Sequence, residues 1–292
     1  MNKKSMNLKY LQIKSDRDLN DAVTFLEKGF KWKKFKSDLV KSKFPIINKH
    51  LNFHGIMIKD DKEVIGAILF FHQGFINIEN EKRSIINMSS WYMHQKYRGL
   101  PSISFLRYML EEFDNYIFTN YSANNVAEKI LLKIGFKKMQ LKRTSLLITE
   151  SIFNFSNIKI KDIHKDSLKI KNNIETILDE GIGIRFLEVK IDRYKLQLIT
   201  KKRVLRRSIF GVEFNWRTTT IIWTSNEAML ARHWKKICNK LLIYTKSMKL
   251  VCDFSSNFPQ NALVKENNYL YFCNNQSLDY IAPIQSEMNI FD

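Results

Sequence analysis

Apolar residues recur along this chain with two periods, and the switch between them is clearest over residues 85–139. Residues 85–93 form a short apolar-rich run, which predicts a buried strand. A basic stretch follows over 94–100. Ile103, Leu106, Leu110 and Phe113 then fall at three- and four-residue spacing, which predicts a helix with one apolar face. Pro101 predicts its start, because the N–H that proline lacks would be unpaired at the first helical position anyway. Tyr116 to Thr119 predicts a short strand. Asn124 predicts the cap of a second helix, whose apolar face is Ala127, Ile130, Leu131 and Ile134. Gly135 fits its left-handed end, and Phe136 opens the next strand.

The flanking pattern predicts a strand over 8–14 and a helix over 16–30 with Leu19, Val23, Leu26 and Phe30 on one face. A basic amphipathic segment covers 32–44. Strands are predicted at 54–59 and 63–78, joined by a turn at Asp60-Asp61. Residues 79–82 turn the second of these back into the strand at 85–93, a pairing that places His72 near Ser89. Residues 141–149 predict a strand, and 150–157 a boundary. Beyond it come a helical stretch over 162–178, a turn at Glu180-Gly181-Ile182-Gly183, and strands at 186–191, 195–201, 208–215 and 218–223. Asn226 caps a long helix running to about Tyr244, and 249–252 is a further strand.

The second part echoes the first. Tyr121-Ser122-Ala123-Asn124 matches Phe254-Ser255-Ser256-Asn257, and Ile134-Gly135-Phe136 falls on Asn267-Asn268-Tyr269, where Asn268 can adopt the left-handed conformation of Gly135. Trp91 corresponds to Trp223. A repeat of this length implies two tandem halves, residues 1–150 and 151–292. The halves differ at one place: Trp223 is followed at once by Thr224-Ser225-Asn226, without the basic loop of 94–100.

Charge narrows the class of partner. The chain has 48 Lys+Arg against 29 Asp+Glu, a net charge of +19, densest at 31–36 and 201–207. That excess suits either the solvated face of a chain rich in Lys, Asn and Ile or a polyanionic partner: coenzyme A, an acyl carrier protein, nucleic acid or a membrane surface. The three cysteines, Cys238, Cys252 and Cys273, have no metal spacing and form no disulfide framework, so no metal site is expected. No apolar run is long enough to span a bilayer and no signal core follows the N-terminus; a cytoplasmic location is expected.

The chemistry concentrates where a strand feeds a basic loop and then a helix. The first N–H groups of a helix have no partner within it, and its dipole favours an anion there. Arg98 adds a fixed positive charge, and Gly99 lets backbone approach a phosphate closely. Residues 98–103, Arg-Gly-Leu-Pro-Ser-Ile, followed by Asn124-Asn125-Val126-Ala127 and Gly135-Phe136, resemble the GNAT acyltransferase superfamily over roughly residues 8–149. Pro101 and Ile103 stand where that family usually has small residues.

The resemblance implies an α/β (α+β) chain of two tandem GNAT-like halves, each a mixed, mostly antiparallel sheet flanked by helices. It implies acetyl-CoA or another acyl-CoA as donor and an amine or hydroxyl of a small molecule, amino sugar or sugar nucleotide as acceptor. By its motifs, Arg98, Gly99, Leu100, Ser102, Ile103 and Ser104 hold the diphosphate, Trp91, Tyr92 and Met93 the thioester, and Asn124 the pantetheine arm. The tyrosine that often serves as general acid in the family is replaced here by Leu131. Tyr121 is the candidate substitute and His72 the candidate base. A second reading is a nucleic-acid-interacting protein on the same scaffold, either a Fem-like transferase with an aminoacyl-tRNA donor or a binder without chemistry. The charge and the aromatics Trp32 and Phe35 favour it.

Overall fold

The computed structural model describes residues 7–78, 81–121, 123–148, 157–168, 175–176, 184–209, 212–254, 259 and 264–274. Strand β1 (Leu8–Gln12) leads into helices α1 (Asp16–Phe30) and α2 (Lys34–Ile47). The start of α1 is set by a reciprocal cap: Asp18 N–H donates to the Ser15 hydroxyl at 3.1 Å, and Ser15 N–H donates to the Asp18 carboxylate at 3.2 Å. The helix buries Leu19, Ala22, Val23 and Leu26 against Met57, Leu69 and Phe71 of the sheet. Removing each large apolar side chain from water contributes about 1.5–3 kcal/mol.

Three antiparallel strands follow, β2 (Gly55–Asp60), β3 (Glu63–Ile78) and β4 (Glu81–Met93). Then come α3 (Leu100–Glu112), β5 (Tyr116–Asn120), α4 (Asn125–Lys133) and β6 (Lys137–Leu147). Gly135 has φ +97°, the left-handed conformation expected after α4. The β3–β4 turn is tighter than the sequence suggests, because Ile78 pairs with Glu81. A bulge between His72 and Gly74 shifts the register further. His72 therefore lies opposite Ile86, and it is Leu69 that faces Ser89.

The second half contains β7 (Ile158–Asp162), β8 (Glu175–Thr176), β9 (Ile184–Ile191), β10 (Tyr194–Ile209) and β11 (Val212–Thr224). Helices α5 (Glu227–Arg232) and α6 (Trp234–Thr245) and strands β12 (Lys249–Phe254) and β13 (Val264–Cys273) complete it. The expected helix over 162–178 is corrected at 162–168 and 175–176, the part of it among the described residues. Ile158 and Ile160 alternate with lysines in a strand, Lys165–Ser167 is one 3-10 turn, and Glu175–Thr176 pairs with β3. Two predicted strands, 195–201 and 208–215, are parts of one long β10–β11 hairpin. The predicted helix after Asn226 is broken at His233, whose backbone leaves the helical region. Asn268 lies within β13, not at a helix end; the register breaks between Lys265 and Tyr269. The expected boundary at 150–156, the turn at 180–183 and Ser255 to Asn257 lie outside the described residues.

Among the described residues thirteen strands form one sheet in the order β1-β2-β3-β4-β5-β13-β6-β12-β11-β10-β9-β7, with β8 attached to β3. The order reads alike from both ends. On each side three antiparallel pairings lead to one parallel pairing, β4 with β5 and β11 with β12. The next position on each side is filled by a strand from the other half: β13 pairs with β5, and β6 pairs with β12. Two side-chain contacts fasten the exchange. Arg143 on β6 makes a bidentate pair with Asp253 on β12, both contacts at 2.6 Å. Asn274, just past β13, accepts from Phe118 N–H at 2.9 Å. Among the described residues no helix is long and apolar enough to cross a membrane.

Candidate active site

The parallel ladder between β4 and β5 spans only Ser84–Asn87 and Tyr116–Thr119. Past it β4 continues to Met93 while β5 ends at Asn120, so the two strands part like a fork. The Asn120 amide donates to the Met88 carbonyl at 3.1 Å, and the Thr119 hydroxyl to the Ile86 carbonyl at 3.4 Å. The first of these bonds serves a β4 carbonyl just past the end of the ladder, and the second reinforces the ladder's last rungs. Within the open stretch β4 carries a bulge: Ser90 has φ +52°, and pairing with β3 shifts from Leu69–Ser89 to Ala67–Tyr92. Such bulges turn the strand locally and re-aim its side chains.

The fork opens into a cleft made of two adjoining cavities, of about 270 and about 230 Å³. They share Phe30, Trp91, Asn124 and Ala127. The larger runs along Tyr92 and Met93 to Arg98, Gly99 and Ser102, with Val126 and Ile130 of α4 opposite. The smaller reaches Trp32 and Lys36, past Ser90 and Asn120.

Each wall has a physical cause. The Tyr92 ring lies against Gly29, where even a Cβ would come within 2.5 Å of the ring. Phe25 and Phe30 pack against the same ring, with centroids at 5.5 and 5.3 Å. Arg98 sits 5.6 Å from the Tyr92 ring centre, and its Nε donates to the Met93 carbonyl at 3.2 Å, so the guanidinium is fixed at the cleft mouth. Gly99 caps α3 with φ +101°. A Cβ there would meet nothing within 4 Å. Ser102 and Ile103 N–H both donate to the Gly99 carbonyl, at 3.1 and 3.3 Å, and Pro101 has no N–H. The loop's own amides are largely engaged as well, with Lys96, Tyr97 and Arg98 N–H donating back to His94 and Gln95, so the guanidinium of Arg98 supplies the positive charge at this end. Asn124 caps α4, accepting from Val126 and Ala127 N–H at 3.1 and 2.9 Å.

Of the residues expected to hold the donor, Trp91, Tyr92, Met93, Arg98, Gly99, Ser102 and Asn124 line the cleft. Leu100, Ile103 and Ser104 do not line it, and Leu100 is 78% exposed. Neither proton-transfer candidate lines it either. His72 is buried, with its ring 4.7 Å from Phe75 and 6.1 Å from His50. Burial, and secondly His50, pushes its pKa down to about 4. Tyr121 is buried beside Cys273 and Leu141, its hydroxyl accepting from Gln73 Nε2 at 3.4 Å. Burial raises its pKa well above the usual phenol value. Sequence reasoning did not single out Ser90, Asn120 or Lys36. The second half lacks an equivalent loop: β11 ends at Thr224, and Asn226 already caps α5 through Met229 N–H.

No family model matches this sequence, and no curated protein is found to match it. Solved structures do resemble it. A GCN5-related N-acetyltransferase from Anabaena variabilis superposes with a TM-score of 0.60 at 12% identity, covering 91% of this chain and 72% of that one. One from Kribbella flavida gives 0.54 at 12% identity, covering 94% and 72%. Saccharomyces cerevisiae N-myristoyltransferase with bound myristoyl-CoA gives 0.52 at 9% identity, covering 94% and 79%.

Proposed function

From the premise that this chain has the GNAT fold, we propose that it transfers an acyl group from acetyl-CoA or another acyl-CoA to an amine, or a hydroxyl, of a small molecule such as an amino sugar or sugar nucleotide. One observation carries the reading: the fork between β4 and β5 opens into a cleft that ends at Arg98, Gly99 and the start of α3. The diphosphate lies against Arg98 and the Gly99 backbone, where a fixed guanidinium and a helix N-terminus favour it. The pantetheine arm runs between Tyr92 and Met93 on one wall and Val126, Ala127 and Ile130 on the other. The thioester sits beside the Ser90 bulge, with a β4 backbone N–H polarising its carbonyl as charge develops there. The acceptor nitrogen attacks that carbon, the C–N bond forms, the C–S bond breaks, and the leaving thiolate takes up a proton. Holding both reactants in one cleft supplies much of the acceleration. His72 and Tyr121 stand back from the cleft, so water at the open mouth takes the acceptor's proton. In this reading residues 1–150 form the donor-binding domain and residues 151–292 its degenerate counterpart. Titration calorimetry with coenzyme A tests it: absence of binding would sink it.

A second reading has one observation in its favour. The Lys202 ammonium is pushed below its ordinary pKa by burial and then by Arg217, Arg185 and Lys246, of which Arg185 already pairs with the Asp162 carboxylate. An anionic macromolecule such as RNA or an acyl carrier protein would relieve that repulsion. Stabilisation by RNA but not by coenzyme A would favour this reading.

A further inference from the structure

The mouth of the larger cavity has an anion end and an apolar rim, and both bear on what carries the donor's pantetheine arm. At the anion end, Ser102 and Ile103 N–H donate back to the Gly99 carbonyl, and Lys96, Tyr97 and Arg98 N–H donate back to His94 and Gln95. Pro101 has no N–H to give. Among the described residues that line the larger cavity, Arg98 is the one cation. Its Nε is committed to the Met93 carbonyl at 3.2 Å, which keeps the charge at the mouth. Coenzyme A brings a diphosphate and a further phosphate on its ribose. A pantetheine arm attached to a protein serine brings a single phosphodiester, with a single negative charge. One guanidinium matches the second far more closely than the first.

The rim is where apolar surface lies open to water. Leu100 is 78% exposed, Val126 68% and Phe30 41%. Phe30 and Val126 line the larger cavity, and Leu100 directly follows Gly99, which lines it too. Single exposed apolar side chains are ordinary, but several around one opening mark a contact surface. Exposed cations stand beside them: Lys96 lies two residues before Arg98, and Lys129 is one helical turn from Val126 on α4. The carboxylate next to Lys129, Glu128, is taken up by Lys138. A partner complementary to this rim carries carboxylates interspersed with apolar side chains.

We propose that the donor thioester is presented by a small acidic carrier protein on a phosphopantetheine arm. The arm enters the cleft, its phosphodiester meets Arg98, and the carrier docks on Leu100, Val126, Phe30 and Lys129. This assignment rests on the donor reading and deepens it: coenzyme A enters the same cleft as the weaker donor. The acyl transfer is unchanged. The C–N bond to the acceptor forms, the C–S bond to the arm breaks, and the arm's thiolate takes up the proton that the acceptor releases.

Calorimetry on the full chain tests it. The probes are acetyl-CoA, acetyl-phosphopantetheine, the carrier protein of a bacterial fatty-acid synthase bearing the acetylated arm, and the same carrier without the arm. The loaded carrier should bind at least about tenfold more tightly than acetyl-CoA, and at least about tenfold more tightly than the armless carrier. Acetyl-phosphopantetheine should bind about as tightly as acetyl-CoA. Leu100→Ser combined with Lys129→Glu should weaken the loaded carrier at least about tenfold. Lys129→Glu alone should leave the affinity for acetyl-phosphopantetheine as in the parent. Acetyl-CoA binding at least about tenfold more tightly than acetyl-phosphopantetheine overturns the inference and leaves the donor reading standing. So does a loaded carrier that binds no more tightly than acetyl-CoA, or one bound equally well by the double variant. A parent dimer that the double variant abolishes in sedimentation gives the rim to a second copy and overturns it too. A chain that binds neither acetyl-CoA nor any form of the arm removes the donor reading and this inference with it.

Discussion

The Asn120 amide meets the Met88 carbonyl across 3.1 Å, each residue one position beyond the last paired residues of the two parallel strands. This bond marks the apex of the fork. Asn120 is 6% exposed and Met88 2%, so the bond is shielded from water. Asn120→Leu should cost roughly 1–3 kcal/mol, the range for a buried acceptor left unpaired. It should also weaken donor binding, because the apex positions both cleft walls. Urea unfolding and calorimetry on the variant check both effects. Unchanged stability would show that the apex is held by something else.

Arg98 and Gly99 should separate donor binding from folding. Arg98→Ala should weaken coenzyme A by roughly 1.5–3 kcal/mol, the worth of a hydrogen bond to a charged group, while Arg232→Ala on α5 should not. Gly99→Val puts a branched side chain at φ +101°, where its Cβ projects into open space. Coenzyme binding and turnover should be lost; the backbone strain lowers the melting temperature, but unfolding should stay cooperative. Native mass spectrometry should find one coenzyme per parent chain. Two per chain, or one that survives Gly99→Val, would move the donor site elsewhere.

The strand exchange makes the halves depend on each other. A fragment ending near residue 150 would keep β5 and β6 but lack β13 and β12, so β5 would lose one of its two partners and β6 both. It also loses Asp253 from Arg143 and Asn274 from Phe118. Such a fragment should be insoluble or show no cooperative melt. Circular dichroism showing the full-length transition in the fragment would refute the dependence.

His72 gives stability a pH dependence of known sign. Its pKa is lowered to about 4, by burial first and then by His50, against about 6.5 in an unfolded chain. Between these values the unfolded chain binds the extra proton, so the stability associated with a neutral His72 is present above the window and lost as pH falls through it. From about pH 7 to about pH 5 the parent should lose roughly 2 kcal/mol more than His72→Phe. Parallel losses in both proteins would mean that this histidine does not titrate as described.

Much of the fold was legible where local chemistry decides it. The predicted bounds of α1 and β3 coincide with those observed, because the Ser15–Asp18 cap and the Asp60-Asp61 turn are written in adjacent residues. Arg98, Gly99 and Asn124, which line the cleft, could be picked out for the same reason. The break at His233 has no glycine or proline to announce it. The exchange of β6 and β13 was invisible because pairing between distant strands leaves no local signature; residues 264–273 do not alternate. Lys36 and Asn120 escaped notice for a related reason. One lies on a helix and the other at a strand end, and only tertiary packing brings them to one cavity.

The exchange also sets a clock on the ribosome. The slot between β5 and β6 is filled by β13, which ends at Cys273. At about 5–20 residues per second, the stretch from the end of β6 at Leu147 to Cys273 takes on the order of ten seconds to synthesise. Throughout that interval the outer edge of β5 and both edges of β6 lack their partners, and such unpaired edges are the usual templates for mispairing. Slow translation lengthens the exposure and fast translation shortens it. The yield of native chain should therefore respond to synthesis rate, and to chaperones that shield β5 and β6, before it responds to the stability of the finished sheet.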